Sequence, residues 1–205
     1  MKVWSQFHPF VLLDVLGCPD PVVAHALLHA SREFFERTRT WTVWQDTITT
    51  SEGSLDYDFE LSQNTEIVKV LRATINNIDL TVLSENDLPS SWRTGVSRLT
   101  GLVTSDRRTF SVVPARAAGM TIRTFCALKP GNNALGVEDV LFAQFAEEIS
   151  AGAKARLLST PKRDYSDIGA GMLYRDQFDQ SCNSIARKME KSFSRTPRRV
   201  IPNFF

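Results

Sequence analysis

Apolar positions recur at helical spacing in the first and last parts of the chain and at two-residue spacing between them. From Asp20 onward, Val23, Leu27, Ala30 and Phe34 fall on one stripe with Leu28, Ser31 and Phe35 beside it, which predicts a helix to about Thr38. Asp20 is a natural N-cap and Pro21 suits the first helical position. Ahead of it, Pro9 to Leu16 reads as a short helix or turn closed by Gly17. The pattern changes at Trp41. Thr40-Trp41-Thr42-Val43-Trp44 is β-branched and aromatic, which suits a pleated, half-buried surface. Leu55, Tyr57, Phe59 and Leu61 then alternate with Asp56, Asp58 and Glu60, the pattern of an antiparallel sheet covered on one face. Glu66 to Ile75 reads as the next strand, and Asn76-Asn77 as a hairpin turn into Ile78 to Leu83, because Asn tolerates the positive φ such turns need.

Asp87 to Ser91 reads as a loop into a short helix or turn around Trp92. Two more strands are expected near Thr109 to Val113 and Thr121 to Leu128, and Lys129-Pro130-Gly131 closes the β region. Helical spacing returns from Val137 to Leu158, with Leu141, Phe142, Phe145 and Ile149 on the apolar side. Its second half carries Ala151, Gly152, Ala153 and Ala155, small residues that let another helix axis approach. Pro161 ends this helix. Ser166 or Asp167 can cap the last one, which continues through Met172, Phe178, Cys182, Ile185, Met189 and Phe193 until Pro197.

Segregated rather than alternating elements predict an α+β fold. Residues 1–39 and 136–194 would form a helical core, residues 40–135 an inserted antiparallel β-domain, and residues 195–205 an extended C-terminal arm. The 205 residues suffice to bury a substantial core. A net charge of +1 argues against nucleic-acid binding through bulk charge, but six Lys or Arg against one acid follow Ile185, so the basic end is a local feature. Cys18, Cys126 and Cys182 are too far apart for a zinc or disulfide framework and read as reduced, mostly buried residues. The opening MKVWSQFHPF holds no run of signal-peptide length, and the longest apolar runs fall far short of the roughly 20 residues of a membrane helix. The expectation is a protein made in the cytoplasm and soluble until it meets a partner, with no membrane association.

No Gly-rich phosphate loop, HExxH or Gly-x-Ser-x-Gly is present, so no catalytic or cofactor-binding residue is assigned. His25 and His29, four apart, could face one metal ion, but no third ligand stands near them in sequence, and no metal site is assigned. The Asp56, Asp58, Glu60 row could hold a divalent cation; the simpler reading, a solvated sheet face that opposes edge association, is preferred. The stretch RTPRRVIPNFF has three readings. Interleaved prolines and aromatics favour docking into a protein groove over self-packing, and self-packing over phosphate contact. Arg195, Arg198 and Arg199 would steer such an arm, Pro197 and Pro202 would keep it extended, and Ile201, Phe204 and Phe205 would anchor it.

Across nearly its full length the chain resembles the head-to-tail adaptor (connector, or head-completion) proteins of tailed bacteriophages. Ala30-Ser31-Arg32-Glu33-Phe34-Phe35-Glu36-Arg37-Thr38 before Trp41 is similar to that family's first core helix running into a sheet. Tyr57-Asp58-Phe59-Glu60-Leu61 and Ile67-Val68-Lys69-Val70 resemble its sheet opening; Val112-Val113-Pro114 and Leu128-Lys129-Pro130 resemble its later strand ends. Glu148, Gly152-Ala153, Leu157-Leu158 and Pro161 are similar to its second helix and stop, and Ala170, Phe178, Ala186-Arg187 and the Arg-rich ending to its last helix and tail. Gly101-Leu102-Val103-Thr104 departs from the pattern, since a Gly-Pro turn is expected there.

The resemblance implies a non-enzymatic virion structural protein. It would form a homo-oligomeric ring, usually of twelve copies, beneath the portal vertex at the head-tail junction. There it would extend a channel that DNA passes through without sequence specificity and join the portal protein to downstream tail proteins. A ring needs two different surfaces on each copy; the small residues Ala151, Gly152 and Ala155 and the one-sided sheet would supply ring contacts, and residues 195–205 would be the portal arm. Two alternatives remain: a small nucleic-acid-binding protein using the basic C-terminal helix and arm, and an enzyme using His25, His29 or the Asp56–Glu60 row.

Overall fold

The computed structural model describes residues 1–88, 92–93, 100–104, 106–114 and 118–190. Strand β1 (Lys2–Val3) leads through a 3₁₀ turn into the one-turn helix α1 (His8–Val11) and then α2 (Asp20–Thr38). Strands β2 (Thr42–Trp44), β3 (Ile48–Thr49), β4 (Asp56–Asp58), β5 (Thr65–Ile75), β6 (Ile78–Leu80) and β7 (Val82–Leu83) follow. Next come β8 (Gly101–Val103), β9 (Thr109–Val113), β10 (Thr121–Pro130) and the short β11 (Gly136–Val137). Helices α3 (Asp139–Leu158) and α4 (Ile168–Glu190) complete the described elements. The fold is α+β, and the chain divides into two compact units: Met1–Thr40 with the chain from Leu135 onward, and Trp41–Ala134.

In the helical unit, α2 buries Val23, Leu27, Ala30 and Phe34 with Ser31 and Phe35, the stripe its spacing predicts. Asp20 is not its cap. The helix already includes Asp20, Pro19 takes the N-cap position with extended backbone, and the Pro19 carbonyl accepts from the amides of Val22 and Val23. Arg39 ends the helix in the left-handed region at φ 53°, its amide returning to the Phe35 carbonyl. On α3, Phe142 packs edge-on to Phe7 at 4.7 Å between centroids and Phe145 lies 5.1 Å from Phe34. Helices α2, α3 and α4 all touch one another, and β1 pairs antiparallel with β11.

The β unit is more than the single antiparallel sheet expected. Its larger sheet runs β2-β10-β5-β6, with β3 also on β10, and is antiparallel throughout. Two register shifts between β5 and β10, at Phe125/Cys126 and Ala127/Leu128, bend this long pair. The second sheet runs β4-β9-β8-β7 and is mixed, because β7 pairs parallel with β8. The segment expected as one strand from Ile78 to Leu83 is therefore divided at Thr81: Ile78–Leu80 pairs with β5 and Val82–Leu83 crosses to β8. Asn76 and Asn77 turn the β5-β6 hairpin at φ 48° and 65°, as their position suggests. The Gly101-Leu102-Val103 departure is a strand, and Gly101 permits it: a Cβ there would lie 2.6 Å from the Thr81 carbonyl oxygen. Trp92, Val103 and Val113 form a small buried cluster with Leu83 and Leu88 against it.

Candidate functional site

The expected portal arm, Arg195, Pro197, Arg198, Arg199, Ile201, Pro202, Phe204 and Phe205, lies outside the described residues, as does Phe193. The expected ring contacts need correcting. Ala151, Gly152 and Ala155 are buried inside the helical unit, so they have no surface to offer a second copy. Their smallness serves internal packing instead. A Cβ on Gly152 would stand 2.7 Å from the Phe178 ring and 3.1 Å from the Ala30 Cβ, so Gly152 is where α2, α3 and α4 come closest.

Phe178 is fully buried at that junction, and a chain of charges closes over it. Glu33 on α2 accepts from Arg156 on α3 at 2.6 Å and from both terminal nitrogens of Arg175 on α4 at 2.7 and 3.2 Å. Arg175 Nε also donates to Asp179 at 3.0 Å, and Asp179 accepts from Arg37 of α2. The guanidinium carbons of Arg37 and Arg175 lie 5.8 and 5.6 Å from the Phe178 ring centroid. Burial by itself would raise the Glu33 pKa, but hydrogen bonds from Arg175 and Arg156 outweigh it and hold the carboxyl below its ordinary value. Asp179 behaves likewise: burial opposes ionisation, and the Arg37 hydrogen bond with the charge of Arg175 overcomes it. Both arginines are correspondingly raised, Arg37 chiefly by Asp179 and Arg175 chiefly by Glu33.

The outer face of α4 departs from expectation. The Asp167 side chain caps the helix by accepting from the Ala170 amide at 3.0 Å, while Ser166 bonds the preceding turn through the Arg163 amide and the Thr160 carbonyl. The buried side carries Gly171, Phe178 and Cys182. Met172 is 63% exposed, beside Ile168 at 56% and Leu173 at 72%. Along the same helix the surface turns polar and then basic. Gln180, Asn183, Ser184, Arg187 and Lys188 line an open depression of about 450 Å³. In the β unit the corresponding exposed apolar group lies on β2. Trp44, 41% exposed, lies 5.1 Å from Phe125 with the rings tilted by 36° and Arg123 over its ring at 5.3 Å, and Val43, on the opposite face of the strand, is also exposed.

The remaining candidates are distributed as follows. The Asp56–Glu60 row is exposed at its three carboxylates, but Asp56 is held by Arg93 at 3.1 and 3.2 Å and by the Ser111 hydroxyl, so the three do not converge. Among the described residues no group of three or more His, Cys, Asp or Glu is arranged around a common point for a metal. His25 and His29 do converge as a pair, with their Nε2 atoms 3.1 Å apart on the exposed side of α2. The three cysteines are free and buried, and burial pushes the Cys126 and Cys182 thiols up to about 11. No helix among the described residues is long and apolar enough to cross a membrane.

No protein-family model matches the chain, and no curated protein matches it. Sequence reasoning missed two features of this surface. Ile168, Met172 and Leu173 fall about 60°, 100° and 160° off the Gly171, Phe178, Cys182 stripe when the helix is drawn at about 100° per residue. The Glu33 cluster had no local signal, since its partners follow 123 and 142 residues later.

Proposed function

We propose that this protein is a virion structural adaptor that assembles as a ring beneath a bacteriophage portal, extends the DNA channel and joins the portal to tail proteins. The observation that carries the reading is the pair of unlike apolar surfaces, Ile168, Met172 and Leu173 on α4 of the helical unit and Trp44 with Phe125 against it in the β unit. A closed ring built from head-to-tail contacts needs two different faces on every copy, and these take the place of the buried Ala151, Gly152 and Ala155. The resemblance in element order supports the reading further, as does the α4 surface, which becomes basic at Arg187 and Lys188 just ahead of the Arg-rich arm. In this reading Arg195 to Phe205 is the portal-docking segment. Burial of each Phe returns about 1.5–3 kcal/mol, offset against the ordering of the arm and multiplied around the ring by avidity.

The test is to mix the purified chain with a candidate portal protein and image the mixture by negative-stain electron microscopy. Rings seated on the portal are expected, and a chain lacking residues 197–205 is expected not to seat. Unchanged association after that deletion would sink the arm assignment. Substituting Met172 and Leu173 with Ser is expected to impair ring closure; intact rings would remove α4 from the ring interface.

A second reading, a nucleic-acid-binding protein, draws on Arg187 and Lys188 beside the α4 depression. The two readings separate on salt. Phosphate neutralisation makes affinity for free duplex fall steeply with ionic strength, whereas an adaptor binds free duplex weakly at every salt concentration.

A further inference from the structure

We propose that His25 and His29 form a two-histidine chelate for a transition-metal ion of the imidazole-preferring class, Ni²⁺, Cu²⁺ or Zn²⁺. The residues are one helical turn apart on α2, and both side chains are exposed. Their rings meet at 65° with centroids 4.4 Å apart, which brings the two Nε2 atoms to 3.1 Å. Only two things bridge ring nitrogens at that distance: one N–H···N hydrogen bond, or an ion that takes both lone pairs. A tetrahedral zinc with bonds of about 2.0–2.1 Å separates its ligand nitrogens by ~3.3 Å. A square-planar nickel or copper ion separates them by ~2.9 Å. The 3.1 Å separation lies between these.

The surroundings define what kind of site this is. Arg32 of α2 and Arg156 of α3 bear on His29 electrostatically. Arg156 pairs at 2.6 Å with Glu33, which Arg175 shares, and Arg32 has interactions of its own. No third His, Cys, Asp or Glu among the described residues completes the shell. The remaining positions are therefore open to water or to a donor from another molecule. That makes the site exchangeable rather than a closed structural centre, and its preference should follow ligand chemistry: copper over nickel over zinc, with magnesium excluded.

The chain has three histidines, and the third, His8, is largely enclosed with its Nδ1 3.5 Å from Asp20, so imidazole-dependent binding can be assigned. The experiment is calorimetric titration of the full chain with NiCl₂ and ZnCl₂ at pH 7.5, with MgCl₂ as control. One nickel per chain is expected, with zinc weaker and magnesium silent. The nickel heat should be lost in His25→Ala and again in His29→Ala. Exposed positions tolerate these changes; circular dichroism checks the fold, with His29→Gln as the replacement should the alanine variant misfold. Absence of nickel binding, or binding that survives either single substitution, overturns the proposal.

Discussion

Glu33 is a single carboxylate that receives guanidinium hydrogen bonds from two other helices, and its side chain is only 22% exposed. Glu33→Gln leaves Arg156 and Arg175 without their shared anion, and the loss should fall between the cost of a surface pair and that of a buried one, about 1–3 kcal/mol. Urea denaturation at neutral pH reads this directly. The pH dependence has a definite sign. Glu33 and Asp179 titrate lower in the fold than their ordinary values of 4.5 and 3.8, so their contribution is complete above that range. It is lost as pH falls through the depressed folded values. The Glu33→Gln chain should therefore show a shallower fall in stability below about pH 4.5 than the unaltered chain. Gly152 gives a prediction of opposite flavour. Alanine is the better helix former by about 1 kcal/mol, yet its methyl would sit 2.7 Å from a ring that is fully buried and cannot yield. Overpacking of about 1–3 kcal/mol outweighs the propensity gain, so Gly152→Ala should lower the melting temperature despite being a favourable helix substitution.

Among the elements, those whose evidence is local were legible. The stripe of α2, the strand Thr65–Ile75 and the Asn76-Asn77 turn all follow from residues within a few positions of one another, whereas the strand expected from Leu55 to Leu61 is confined to Asp56–Asp58. The turn makes a test. Asn77 stands at φ 65°, a region that costs a β-branched residue about 1–2 kcal/mol. Asn77→Val should be destabilising by that amount and Asn77→Gly close to neutral, measured by chemical denaturation. What stayed hidden depends on distant partners. Strand β8 is buried at all three residues and carries no alternation, so nothing in Gly101-Leu102-Val103 announces pairing with β7 and β9. The division of Ile78–Leu83 between two sheets likewise depends on which strands lie alongside. On α4 the sequence left the phase open. Apolar residues on both sides of the helix look continuous along the sequence, and only packing against α3 separates Phe178 from Met172. The candidate surface was thus less legible than the fold, because the residues proposed for ring contact were selected for smallness, which serves internal helix packing equally well.

For the whole molecule, the β unit is one continuous segment, Trp41–Ala134, whereas the helical unit is assembled from the chain on either side of it. The β segment carries buried Phe110, Val112, Leu102, Ile122 and Cys126. Produced alone, residues 41–134 should give a strand-type circular dichroism spectrum and one cooperative urea transition; a coil spectrum would show dependence on the flanking helices. The helical unit has no such independence, and this bears on how the protein is born. Helix α2 leaves the ribosome before the strands, but the helices that cover Val23, Leu27, Ala30 and Phe34 begin only at Asp139. At a synthesis rate of ~5–20 residues per second, its apolar stripe waits on the order of 5–20 s for partners. Every nascent chain therefore passes through a stage in which a finished β unit trails an uncovered helix. Chaperone binding to stalled chains should concentrate on α2 and disappear once α4 has emerged.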